Sequence, residues 1–453
     1  MKRKKEGSTR TNEEMLRSAN YWQLAGKLCV PAILIMVVTV LYHMADVFFI
    51  GQTGDPNMVA AVTLASPMFT ILSGLGVLFG NGGCTAISLA LGRGDYSRVK
   101  QTSSFCVWAA VLLGLVFTGI TLLFLEPICG ILGTNSETKA FTAEYLRIIA
   151  LGAPIIMLTN IIPAMIRADG STMDSMVGNL MGTVLNIALD PLLISVLHMG
   201  VSGAALATVA ANAAALVYYW HFLRTKGKIY SMDPREVSLR KDTAWNVIRL
   251  GLPLACSTIL MSISSTIANN MMMEYGTTAV AGQSVAGRIG QMVSMVVMGI
   301  CMGMQPAISY NYGAENKIRL TEILKKTTGL AVCTGTVLSA LCLLFRDPLL
   351  NAFLNNAEVL KIGRICLLAS VAIGPLYGFY QICTTYLQAT GKSTRAVIVS
   401  LLEKGLIYIP AMLLMKAAWG MNGLIFSVTV TTILSAAAAL WFCYRDYRKE
   451  LEA

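Results

Sequence analysis

Charge is scarce in this chain. Of 453 residues only 13% are Asp, Glu, Lys or Arg while 55% are apolar, whereas an ordinary soluble domain carries about 25% charged residues. Acids are rarer than bases, 24 against 35, and histidine occurs three times. This leaves little material for an acid–base catalytic apparatus or a His-rich metal centre. The eleven cysteines fall mostly inside apolar runs and never at C-x-x-C spacing, so neither a disulfide framework nor a zinc site is indicated. They read as small packing residues. No G-x-x-x-x-G-K-[ST] stretch and no nucleophile with a nearby general base is found, which argues against an ATP-driven pump or a membrane enzyme. No cofactor is expected.

What the chain has in abundance is oil. Mean hydropathy is +0.63, and runs of 20 or more apolar residues, each enough to cross a hydrocarbon core of about 30 Å as a helix, recur along its length. They lie near residues 24–50, 58–90, 102–125, 141–166, 175–197, 201–223, 246–273, 279–309, 327–345, 362–388, 396–416 and 420–443. The expectation is an all-α polytopic membrane protein of twelve spans. The first run, Leu24 to Ile50, is too long for the apolar core of a signal peptide and should stay in place. The 25 methionines would suit a wall that accepts varied apolar shapes, although packing explains them equally well.

The net charge of +11 is one that nucleic acid could attract, but the distribution of the basic residues argues otherwise. If the N-terminus is inside, most Lys and Arg fall on cytoplasmic segments, including MKRKK at the start, 93–100, 224–241 and 315–326. This is the positive-inside bias, and it puts both termini in the cytoplasm; the membrane expected is the plasma membrane. The expected partners are the bilayer and a small molecule, with no nucleic acid and a monomeric state.

The chain repeats itself. At an offset of 221, Phe124-Leu125-Glu126-Pro127 falls on Phe345-Arg346-Asp347-Pro348, Glu137 on Glu358, Pro154 on Pro375, and Ala168 and Gly170 on Ala389 and Gly391. At 220, Gly200 and Gly203 fall on Gly420 and Gly423; at 222, Pro31 falls on Pro253. These are breakers and loop residues, whose coincidence is harder to reach by chance than matching Leu or Val. Six spans per half return the chain to its starting side, so 1–227 and 228–453 should form two lobes of the same orientation joined by a basic cytoplasmic linker, the parallel-repeat plan of a rocking transporter.

Acids inside the oil are expensive and usually face a cavity or a partner. Asp46, Asp190 and Glu403 lie well inside spans, with Glu144 nearer an end. Asn186 and Asp190 are four apart and share a helix face. The short connection at 198–203 makes the next span an antiparallel neighbour, and Thr208, two turns in, can offer a hydroxyl at similar depth. Asp46, in the outer part of the first span, lies at a height comparable to Asp190. Two carboxylates close together in low dielectric cannot both ionise cheaply and titrate as a unit, so the pair can carry a proton. Equally, carboxylates with Asn and Thr oxygens make a hard nest that suits Na+. Alternatively, Asp190 caps a break at Pro191 and Asp46 pairs with a helix neighbour.

Three further residues are secondary candidates. His43, one turn before Asp46, could tune it, though a structural hydrogen bond is the simpler role. Arg288, near Gln283 and Gln291, should find a buried partner. Glu403 beside Lys404, and Glu144 three before Arg147, read as internal ion pairs.

ADVFFIG at 45–51, RADG at 167–170, NIALDP at 186–191, GVSGAALAT at 200–208 and QPAISYNYGA at 305–314 together resemble the MATE (multidrug and toxic compound extrusion) family, in its bacterial MepA-like branch, over essentially the whole chain. The resemblance implies a V-shaped bundle of two six-helix lobes. It implies export of amphipathic, often cationic compounds in exchange for H+ or Na+. The family's N-lobe acid site maps onto Asp46, Asn186, Asp190 and Thr208. A second family pattern, with acids in the seventh and tenth helices, is not matched: residues 253–273 and 365–388 contain no Asp or Glu. A lipid-linked oligosaccharide flippase of the same superfamily fits less well, having as a rule fourteen spans and a cationic cavity. A non-transporting scaffold is the remaining alternative.

Overall fold

A computed structural model describes residues 12–51, 56–227, 229–238, 241–351 and 357–452. Long helices follow one another: α1 (Tyr21–Gly51), α2 (Pro56–Gly92), α3 (Tyr96–Leu123), α4 (Lys139–Arg167), α5 (Thr172–Asp190, continued by a π-helical turn, Pro191–Val196) and α6 (Gly200–Thr225). The second half holds α7 (Lys241–Met273), α8 (Thr277–Gly313), α9 (Lys317–Leu344), α10 (Ala357–Val371 and Gly374–Ala389), α11 (Ser393–Leu401, a π-helical turn Leu402–Leu406, then 408–419) and α12 (420–452). In lipid each backbone N–H must be satisfied within its own segment, which is why these oily runs resolve as helices.

Among the described residues ten helices are long and apolar enough to span, and the bent pair Glu358–Val371 with Gly374–Ala389, at 42°, makes an eleventh. One of the ten, Ser393–Asp446, has 54 residues, about 80 Å of helix against a core of about 30 Å. Gly420, at φ 59° and ψ −137°, breaks it. Counted on its two sides, that helix brings the apolar segments among the described residues to twelve, the number expected from hydropathy. The bend in α10 falls before Pro375 at the start of the second piece, where proline's missing N–H costs nothing.

The internal repeat is written in the backbone. Left-handed φ values recur in pairs: Gly94 at 72° with Glu315 at 56°, Gly170 at 87° with Gly391 at 78°, and Gly200 at 53° with Gly420 at 59°. The side chain of Asp95 accepts from the N–H of Arg98 at 2.9 Å and that of Asn316 from Arg319 at 3.1 Å, capping α3 and α9 alike. Ser88 donates to the carbonyl of Ala168, and Ser309 to that of Ala389, both at 2.9 Å. Each pair is separated by the offset found in the sequence, or one residue less.

Two compact units result, Met1–Asn20 with Leu34–Gly251, and Tyr21–Ile33 with Leu252–Ala453. The sequence repeat led us to expect a division at 227/228; the compact units instead trade the first turns of α1 and α7, and the trade falls near Pro31 and Pro253. In the first unit Gly82 meets the carbonyl of Val247, and Gly251 that of Leu78; in the second, Gly303 meets the backbone of Leu28 and Cys29. Only glycine allows backbones so close. Within the first unit α4 is central, packing on α2, α3 and α6; in the second, α8 packs on both pieces of α10 and on α9. Ahead of α1, the helical turn at 12–18 lies on the α4–α5 corner, where Asn12 donates to Ser171 at 2.9 Å and Met15 and Leu16 cover Gly170.

Candidate functional site

The first unit gathers its polar side chains where α5 meets α6. Pro191 cannot donate a hydrogen bond, and after Asp190 the ladder re-forms one residue wider. The N–H of Leu197 reaches the carbonyl of Leu192 at 2.9 Å, closing the π turn. Such turns interrupt helices at functional sites more often than elsewhere. Asn186 and Asp190 sit on the last two turns before it, 1% and 0% exposed.

Three close approaches fix how α5 and α6 run past one another. Gly178 faces Tyr219, Gly182 faces Ala211 and Ala215, and Gly203 faces Leu193. Antiparallel pairing interpolated between them sets Thr208 level with the stretch from Asn186 to Asp190. Thr208 is 2% exposed. Both polar atoms of the Asn186 amide are buried with no hydrogen-bond partner among the described residues. A buried amide left in that state costs about 1 to 3 kcal/mol, so it calls for an explanation, a bound ion or water among them.

Two neighbours extend the polar surface. Asn212, one turn beyond Thr208, donates to the Thr208 carbonyl at 2.7 Å and accepts from the hydroxyl of Thr159 on α4, also at 2.7 Å. Sequence reading passed over both. Asn212 could have been found from its i+4 spacing to Thr208; nothing local points to Thr159. His43 and Asp46 belong to α1, and their side chains lie outside the described residues.

The second unit carries its own buried acid on its own π turn. Glu403, 8% exposed, lies in Leu402–Leu406 of α11, with the Lys404 ammonium 2.9 Å from its carboxylate. Tyr380 of α10 is buried within reach of that carboxylate, and Ser264 of α7 donates to the Lys404 carbonyl. The expected Glu403–Lys404 pair is therefore formed.

Two expectations are corrected. Arg288 is exposed and makes no hydrogen bond or ion pair among the described residues, so it has no buried partner. Its face of α8, shared with Ser284 and Gln291, is turned away from the unit's core, and that i, i+4, i+7 spacing of polar residues is the mark of an exposed face. Glu144 and Arg147 are both exposed and unpaired with each other; the ion pair at that end joins Lys139 to Glu126.

Asp169, at the α4–α5 corner outside the spans, is 3% exposed, and burial pushes its carboxyl up to about 6 against the bond it accepts from the Ser171 N–H.

The family model described as MatE matches twice, over residues 31–192 and 253–414, the same 222-residue offset as the two prolines. The multidrug export protein MepA of Staphylococcus saprophyticus is 32% identical over 419 residues, covering 92% of each chain. MepA of Staphylococcus aureus strain N315 is 33% identical over 418 residues, covering 91% of each. Among solved structures, an outward-facing multidrug resistance MATE transporter of the MOP superfamily superposes with a TM-score of 0.89 at 23% identity, covering 95% of this chain and 97% of that one. With the repeat matched in both halves and relatives aligned over nearly their full length, the chain belongs to the MATE family.

Proposed function

We propose that this protein is a multidrug efflux antiporter, exporting amphipathic, often cationic organic compounds across the plasma membrane in exchange for inward H+ or Na+. The observation that carries the reading is the fully buried Asp190 aligned with an unsatisfied Asn186 and level with Thr208, in a chain whose relatives are named as multidrug exporters. Asp46 completes the coupling site. A proton or Na+ taken up there removes the cost of a buried charge. Coupling follows if the cation and the drug favour different conformations of one alternating-access cycle. The membrane potential adds about 2.3 kcal/mol per elementary charge per 100 mV, so one or two inward cations drive a modest drug gradient. The protein works as a monomer, with both termini and the basic loops in the cytoplasm.

The test is efflux of a fluorescent cationic dye from proteoliposomes with H+ and Na+ gradients imposed separately. Coupled efflux should fall to background in Asp46→Asn and Asp190→Asn. Unchanged gradient-driven efflux in both variants overturns the proposal, and the gradient that drives the wild type identifies the ion.

A further inference from the structure

The two halves differ at one equivalent place on their basic ends. In the first unit, the segment after α6 is laid into a groove between α3 and α4. Tyr230, 8% exposed, plugs it and donates to the Met165 carbonyl at 2.9 Å. Three side chains of α3 fasten the segment's backbone. Ser103 accepts from the N–H of Ser231 at 2.9 Å, Ser104 donates to the Asp233 carbonyl at 2.6 Å, and the indole of Trp108 donates to that of Met232 at 3.0 Å.

At the repeat offset these become Leu324, Lys325, Gly329 and, for Met165, Tyr386. The equivalent groove of the second unit is a cavity of about 500 Å³. Its walls are Leu320, Leu324, Phe379 and Ile382, and Lys317 and Lys325 stand at its edge, both exposed. The one acid of α9, Glu322, is held by Arg319 and Lys326, each at 2.7 Å. The fasteners for a peptide have thus been replaced by an oily floor and a cationic lip.

We propose that this cavity binds an anionic phospholipid of the leaflet bathing the basic loops, with an acyl chain along the apolar walls and the phosphate on Lys317 and Lys325. Oil below and two ammonium groups at the mouth select a lipid with net negative charge over a zwitterionic one, and basic pockets between transmembrane helices on that side hold such headgroups. A cationic drug would be repelled by the same two lysines. The lipid takes in the second unit the place that Tyr230 and its neighbours take in the first, closing a seam between α9, α10 and α12.

The experiment is native mass spectrometry of the full-length protein released from micelles containing phosphatidylglycerol or phosphatidylcholine with the same acyl chains. The wild type should retain phosphatidylglycerol roughly 25-fold more, and Lys317→Ser and Lys325→Ser should each lower that preference by about fivefold. Thr328→Trp, which fills the cavity from α9, should abolish retention while leaving both lysines. Equal retention of the two lipids by the wild type, or an unchanged preference in the lysine variants, overturns the proposal. So does full retention in Thr328→Trp, since the lipid would then sit on the loops and not in the cavity. Both lysines are exposed, so the serine variants fold and decide the matter if the tryptophan variant does not.

Discussion

Under the proposed function, Asn186 separates what the fold needs from what transport needs. Its amide is buried and unsatisfied among the described residues, so it opposes folding by about 1 to 3 kcal/mol. Asn186→Leu replaces it with an apolar side chain of similar size and should raise the unfolding midpoint in detergent, or at least leave it unchanged, while coupled efflux drops tenfold or more. A fall of several degrees would mean that the amide supports the fold, and would remove the reason for assigning it to a ligand. The pairing of Asn186 with Asp190 was legible because four-residue spacing fixes a shared helix face whatever the tertiary structure. Thr208 was legible because a short connection forces antiparallel neighbours. Thr159 was not, since its bond to Asn212 depends on how α4 is rotated about its own axis. Arg288 was misread although Ser284, Arg288 and Gln291, at i, i+4 and i+7, mark one polar and exposed stripe of α8.

At the scale of the element, the two π turns stand in corresponding helices, α5 and α11, and each carries or adjoins a buried acid, Asp190 in the first unit and Glu403 in the second. The first was foreseeable from Pro191. The second has no proline; Gly405 there admits Leu260 of α7 at a distance a Cβ would forbid, a contact no local pattern announces. Pro191→Ala restores an N–H and lets the helix close its ordinary ladder. It should slow amide exchange over 191–197 and reduce efflux several-fold without lowering stability; faster exchange would show that the turn is set by packing and not by the proline. The α4–α5 corner gives a pH dependence. Asp169 is raised from 3.8 to about 6 by burial, with Asp174 adding to the rise and Ser171 and Tyr230 opposing it. Between these values the folded state keeps a proton the unfolded state has lost, so stability declines as pH climbs from about 4 to 6. The total is on the order of 3 kcal/mol, and no further loss follows above that window. Asp169→Asn should flatten this slope, read as the difference in unfolding midpoint between pH 4.5 and 7; an equal slope in both proteins would assign it to other groups.

The whole molecule is a duplicated fold whose halves can be read against each other, and this decides where small changes matter. Breakers and caps matched at offsets of 220 to 222 gave the two-half plan before any contact was known, because turns and close approaches tolerate few residue types. The exchange of the first turns of α1 and α7 between units was not visible, since it depends on which backbone a glycine touches and not on the glycine itself. Gly251 and Gly303 hold that exchange in the first and second unit respectively, each with a carbonyl where a Cβ would go. Gly119 and Gly329, in α3 and α9, have nothing within 4 Å of that position. Alanine at Gly119 or Gly329 should therefore stabilise by about 0.5 to 1 kcal/mol through helix propensity alone. Alanine at Gly251 or Gly303 must push a backbone aside and should lower the unfolding midpoint, by several degrees for an overpacking cost of about 1 to 3 kcal/mol. Gly303 is the repeat of Gly82 at the offset of 221, and Gly82 likewise has a carbonyl, that of Val247, where a Cβ would go, so alanine at Gly82 and at Gly303 should cost stability to a similar degree. A large loss at Gly82 with none at Gly303 would mean that only one unit depends on the exchanged turn, and that the symmetry of the sequence does not extend to the packing inside each unit.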